Sequence, residues 1–179
     1  MEKIQVHCAF DKMVDTHKLI PNPGNPNTHP DEQIKKLAEI IKATGWRAPI
    51  TVSNLTGYIV KGHGRLMAAE LLGCKKVPVD YQDYENESLE LADLMADNRI
   101  AELSRTDNKK LLNMLEEFDT GEVEFTLSGY DENFYKELAH SFDEYEKKNV
   151  EEDEEVEETE KVEKIKKIKC PECGCEIEV

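Results

Sequence analysis

Along the first 140 residues the apolar positions switch between a spacing of two and a spacing of three to four, as strands and helices in alternation do. Val14 to Leu19 reads as a short strand, and the Pro-, Gly- and Asn-rich stretch from Pro21 to Pro30 as the loop that closes it. Ile34, Leu37, Ile40 and Ile41 recur at helical spacing and give the next segment one apolar face. Thr28 or Asp31 is placed to cap that helix, and Gly45 to end it. Two β-rich runs, Pro49 to Ser53 and Tyr58 to Lys61, flank Asn54-Leu55-Thr56-Gly57, a hairpin signal. A second helix, from about Gly64 to Leu72, turns Leu66, Ala69 and Leu72 inward and stops at Gly73. Val77 to Tyr81 is a further strand, and the segments from Glu87 to Leu103, Asp107 to Phe118 and Asp131 to His140 are helical. The expected fold class is α+β: a small mixed β-sheet with packed helices.

Beyond residue 140 the apolar rhythm stops. Residues 151–160 carry seven Glu, one Asp and no base, and so dense a run of like charge with little to bury reads as a solvated linker. The chain then turns basic at Lys164, Lys166, Lys167 and Lys169, and three of its five cysteines follow in the last ten residues. The organisation read from this is an N-terminal extension over 1–12, an α+β domain over 13–105, a helical extension over 106–140, a charged linker over 141–169 and a Cys-rich tail over 170–179. Over 179 residues the balance of 39 acidic against 23 basic side chains gives a formal charge of −16. That excludes a strongly basic nucleic-acid clamp, whose affinity comes from neutralised phosphates, but not a local basic patch. There is no run of 18 apolar residues and no charged-then-apolar leader at Met1-Glu2-Lys3-Ile4. The expectation is therefore a cytoplasmic protein that does not engage the membrane, with its odd number of thiols in a reducing compartment.

The segment richest in chemistry is Tyr58-Ile59-Val60-Lys61-Gly62-His63-Gly64-Arg65-Leu66-Met67-Ala68-Ala69. A buried strand runs through two glycines directly into a helix. The glycines permit a sharp turn and close approach of a ligand, and the N–H groups of a helix start, at the positive end of its dipole, suit a phosphate. Arg65 in the first turn opposes that dipole unless an anion sits there for the guanidinium to chelate. A tight structural turn with a surface arginine fits the same residues. His63 is a candidate for hydrogen bonding to the anion or for proton transfer, and also for plain packing. Trp46, the sole tryptophan, reads as a core anchor, with base stacking as the lesser alternative.

Gly62-His63-Gly64-Arg65-Leu66, then Ala68-Ala69 and Leu72-Gly73, resembles the second signature box of the ParB/sulfiredoxin superfamily. Asn25-Pro26-Asn27 with His29, Gln33-Ile34, Leu37, Gly45-Trp46, Pro49-Ile50 and the later Ala96-Asp97-Asn98-Arg99-Ile100-Ala101-Glu102-Leu103 agree in order. With Leu127-Ser128-Gly129-Tyr130-Asp131, the pattern over about residues 13–140 is most similar to the ParB-like N-terminal domain of phages and prophages, often found beside DNA methyltransferases. The resemblance implies that Gly62, His63, Gly64 and Arg65 grip the phosphates of a nucleoside triphosphate, with Asn98 beside them and Asp97 holding Mg²⁺. Where ParB has Glu-Arg-Arg after its glycine, this chain has His63-Gly64-Arg65. In sulfiredoxin the place of His63 is the reactive cysteine, and Cys74, at the far end of the helix, does not replace it.

The functional reading is a nucleotide-binding, ParB-like protein of phage or prophage DNA metabolism, accessory to DNA modification, partition or packaging. A second reading is an enzyme of the same fold, a nuclease or nucleotide-dependent phosphotransferase, with His63 and Asp97 as catalytic candidates and Glu70 beside them. A third is a non-catalytic binding module. No Asp-Pro-Pro-Tyr tetrapeptide occurs, so methyl transfer by this chain alone is not expected. Partners are a nucleotide and, more weakly, DNA through Arg105, Lys109, Lys110 and Lys136, or a DNA-modifying enzyme; a homodimer is open. Finally, Cys170-Pro171-Glu172-Cys173-Gly174-Cys175 resembles half a zinc ribbon. Cys170, Cys173 and Cys175 are candidate Zn²⁺ ligands, and Cys8, Cys74, His7 or a second chain could supply the fourth.

Overall fold

The computed structural model describes residues 4–118 and 120–142, together with the backbone of 167–169 and 176–178. The chain separates into two compact units, residues 1–131 and 132–179. In the first, the order is β1 (Lys12–Asp15), a 3₁₀ turn (Thr16–Lys18), α1 (Asp31–Thr44), β2 (Ile50–Ser53), β3 (Ile59–Lys61), α2 (His63–Leu71), β4 (Lys76–Gln82), α3 (Glu87–Leu103), α4 (Asn108–Phe118) and a second 3₁₀ turn (Phe125–Ser128). The second unit holds a helix over 132–142 and an antiparallel pair, β5 (Lys167–Lys169) and β6 (Glu176–Glu178).

The four-stranded sheet has the order β1-β4-β2-β3 and is mixed: β4 runs antiparallel to β1 and parallel to β2, and β2 runs antiparallel to β3. The α+β expectation holds. Val77, Pro78 and Val79 of β4 are fully buried, as a central strand covered on both faces requires. On one side, Ile34, Ala38 and Ile41 of α1 and Leu66, Ala68 and Ala69 of α2 join Trp46, Ile50, Val52, Ile59, Val77 and Val79 in one core. Side chains alternate along β3: Ile59 enters that core, whereas Val60 is buried outside it. Helix α3 packs on β3 and buries Leu94 completely.

Two local expectations are corrected. The first strand spans Lys12–Asp15 and not Val14 to Leu19, because its partner runs out: Asp15 pairs with Lys76, the first residue of β4. Thr16 then turns the chain, its hydroxyl donating to Cys74 O at 3.1 Å while Leu19 N bonds back to Thr16 O. Helix α1 is capped by neither Thr28 nor Asp31. Its N-cap is Pro30, whose carbonyl accepts from Ile34 N, and Asp31 and Glu32 in the first turn answer the helix dipole by charge alone. Gly45 does end α1, at φ 76°. Trp46 is buried to 2% exposure, a core anchor.

Candidate phosphate-binding cleft

Strand β3 delivers the chain to Gly62, which sits at φ 97°, a left-handed conformation that glycine adopts without strain. No side chain caps α2, and Leu66 N is the first amide to close onto Gly62 O. The N–H groups of the first turn therefore face a cleft of about 190 Å³. Its floor is Val60 and Lys61 to Arg65, one wall is Asn25, Asn27 and His29 of the long loop with Gln33 and Leu37 of α1, and the other is Asp97 and Asn98 of α3. All the residues expected at the phosphate site come together here: Gly62, His63, Gly64, Arg65, Asp97 and Asn98. Glu70 does not; it lines a separate cavity with Asp15, His17 and Cys74.

Each polar group has a defined state. His63 Nε2 accepts from Asn22 N at 3.2 Å, so in the neutral ring Nδ1 carries the proton. Burial, and then the charge of His29, lower the His63 pKa, which favours that neutral donor form. Arg65 donates from Nη1 to Pro49 O at 2.7 Å, and a Cβ added to Gly62 would lie 2.8 Å from the same nitrogen. Glycine at 62 thus makes room for the guanidinium as well as for the turn. Burial pulls the Arg65 pKa down while Asp97 and Cys8 hold it up, and an arginine stays charged throughout.

Several participants were not singled out for the site from sequence. Lys61 Nζ lies 2.9 Å from Asp93 Oδ1 and 3.7 Å from Asp97 Oδ1. Asp93 also accepts from Tyr84 OH at 2.8 Å. Burial raises the Asp93 pKa, but the hydrogen bonds from Lys61 and Tyr84 and the Lys61 charge outweigh it and hold the carboxyl below its ordinary value. Acidic residues at 90, 93 and 97, spaced by three and four, were the available signal, since they share one face of α3.

The residues fit a magnesium ion that arrives with a phosphate better than one caged by protein. Mg²⁺ takes one or two carboxylates and keeps phosphate oxygens and waters for the rest. Asp97 supplies a half-exposed carboxylate, and Asn98, whose Nδ2 donates to Leu94 O at 3.0 Å, lines the same cleft. Among the described residues, no three His, Cys, Asp or Glu side chains converge on a common point. Cys170, Cys173 and Cys175, the zinc candidates, lie outside the described residues. Among the described residues no helix is long and apolar enough to cross a membrane.

A mixed four-stranded sheet that hands its chain through glycines to an uncapped helix, beside an Asp-Asn pair on the next helix, defines a domain class, and the class is matched in sequence. The chain matches the ParB N-terminal domain over residues 2–106, more than half its length, and belongs to that family. It is similar to the ParB-like nuclease domain-containing protein YnaK of Escherichia coli (strain K12), with 45% identity over 62 residues, 35% of this chain and 70% of YnaK. Among solved structures, the C-terminally truncated chromosome-partitioning protein ParB from Caulobacter crescentus complexed with CTP-γ-S is 22% identical at a TM-score of 0.49, covering 59% of this chain and 60% of that one. The same Caulobacter protein complexed to the centromeric parS site is 18% identical at a TM-score of 0.42, covering 72% and 70%.

Proposed function

We propose that this protein binds the phosphate groups of a nucleotide at the head of α2, and that it serves phage or prophage DNA metabolism as an accessory to DNA modification, partition or packaging. The observation that carries the binding reading is the uncapped first turn of α2, opened by left-handed Gly62 into a cleft that also presents Lys61, His63 and Arg65. Ligand pockets for whole drug-sized molecules run to about 300–1,000 Å³. A cleft of about 190 Å³ suits the phosphates, with the nucleoside outside it. Mg²⁺ bound by the phosphates would meet Asp97 and Asn98. The neutral His63 ring, with Nε2 engaged by Asn22, supports a donor role toward the anion.

The test is calorimetric titration of the full chain with each common nucleoside triphosphate and Mg²⁺, beside Gly64→Asp. A Cβ at Gly64 would meet only ordinary contacts, at 3.5 Å or more from His29 and Leu37, so the fold accepts it. A carboxylate in the first turn also suits the helix dipole, yet it occupies the anion's place. Binding by the unchanged protein that falls at least about tenfold in Gly64→Asp is the expected result, a loss of roughly 1.4 kcal/mol. Equal binding by both, or none by either, rejects the reading.

The name of YnaK, a nuclease domain protein, favours an enzyme as the second reading, with His63 and Asp97 as its catalytic groups. Release of inorganic phosphate or of DNA fragments that stops in Asp97→Asn would favour it. For DNA, Lys110 and Lys136 are already paired with Asp107 and Glu132, which supports weak contact at most. Zinc in the tail is part of the same proposal: metal analysis of chelator-free protein should find Zn²⁺ that disappears when Cys170 and Cys173 become Ser.

A further inference from the structure

Lys61 and Arg65 both line the cleft, and they are held in opposite ways. Arg65 is largely buried and fixed to a backbone carbonyl of the sheet, at 2.7 Å from Pro49 O. It shapes the turn at Gly62 and has little freedom to follow a ligand. Lys61 is tied only to side chains, and its side chain and those of Asp93 and Asp97 are 31%, 36% and 49% exposed. One ammonium between two carboxylates leaves the cluster with a net negative charge at the mouth of an anion site.

We infer that Lys61 is a phosphate-binding residue held in reserve: it leaves Asp93 and Asp97 when a phosphate chain enters, and so selects ligands with two or more linked phosphates. The inference rests on the binding reading above and adds the residue and the ligand class. Three features make the exchange favourable. An exposed ion pair shifts an equilibrium by only about two- to fivefold, whereas a charge-assisted bond to phosphate is worth about ten- to a hundredfold. Asp93 keeps a donor when Lys61 departs, because Tyr84 OH remains at 2.8 Å. Asp97, half exposed, remains hydrated or meets the cation that accompanies a polyphosphate. One phosphate is served by the α2 amides; a second, reaching toward α3, is served by Lys61, the residue immediately before Gly62.

The experiment titrates the full chain with inorganic phosphate, pyrophosphate and tripolyphosphate, in the unchanged protein, Lys61→Met, Asp93→Asn and the double variant, with circular dichroism on each. The unchanged protein should prefer pyrophosphate and tripolyphosphate to phosphate. Lys61→Met should lower their affinity about ten- to a hundredfold and bring it level with phosphate. Asp93→Asn removes a competitor and should tighten them about two- to fivefold, an effect absent from the double variant. If Lys61→Met binds the longer anions as well as the unchanged protein, Lys61 takes no part and the inference falls while the binding reading stands. If Asp93→Asn weakens them, the pair positions Lys61 and the exchange is wrong. If the unchanged protein takes up none of the three anions and no nucleotide, both readings fall together.

Discussion

One face of α3 carries two acidic stations a single turn apart, and they behave differently. Glu90 is 3% exposed and accepts from two hydroxyls, Ser53 Oγ at 2.6 Å and Thr56 Oγ1 at 2.7 Å. The same hydroxyls receive the turn's own amides: Leu55 N bonds to Ser53 Oγ and Tyr58 N to Thr56 Oγ1. Glu90 thereby locks α3 to the β2–β3 hairpin, in a setting where every polar atom is satisfied and loss of one strands the others. Asp93 and Asp97 face Lys61 across partly solvated space, where a pair is easily made and unmade. The lesson is that burial, rather than residue type, decides whether a carboxylate is scaffold or switchable partner.

The sharpest way to break this contrast is to unpin the helix itself. Leu94, next to Asp93 on the same helix, has no exposure, so Leu94→Ala should cost about 2–5 kcal/mol in urea unfolding. A cost below about 1 kcal/mol would mean that α3 is not held by its core. Next comes Glu90→Ala, expected to lose about 2–3 kcal/mol by orphaning the buried Ser53 hydroxyl and the half-buried Thr56 hydroxyl, with Glu90→Gln recovering part of it. On the solvated side, Lys61→Met should change stability by less than about 1 kcal/mol, and a larger loss would make that cluster scaffold too.

The smallest expected effect concerns pH. The His63 pKa is lowered in the folded protein relative to 6.5 by burial and then by His29, so between that lowered value and 6.5 the unfolded chain binds more protons. The contribution of a neutral His63 is therefore complete above pH 6.5 and is lost as pH falls through the folded value. Unfolding midpoints followed downward from neutrality should fall more for the unchanged protein than for His63→Gln. Parallel curves would show that the ring is not constrained as its hydrogen bond to Asn22 implies.

What could be read from sequence follows the range of each interaction. The β2–β3 hairpin, α1, α2 and the whole of α3 were legible because their signals lie within a few residues: Asn54 to Gly57, the Ile34 and Ile41 spacing, the glycine at 73. The cleft was legible as a run, 62 to 65, with Asp97 and Asn98 added by family resemblance. Lys61 with Asp93, and Ser53 with Glu90, were not, since each pair joins a strand to a helix more than thirty residues later and neither partner announces the other. The end of β1 was misplaced for a related reason: Thr16 has a good β-propensity, but its strand partner was already exhausted.

Residues 5–7 have a practical bearing on anyone trimming the chain. Gln5 O accepts from Trp46 N at 2.8 Å, His7 N donates to Trp46 O at 2.9 Å, and a Cβ at Gly45 would lie 2.8 Å from Gln5 O. This segment is a strap hydrogen-bonded to the backbone of the only tryptophan in the protein, through both its N–H and its carbonyl. Cutting it away would unpair that backbone, and the fluorescence of Trp46 offers a built-in gauge of whether the strap is fastened.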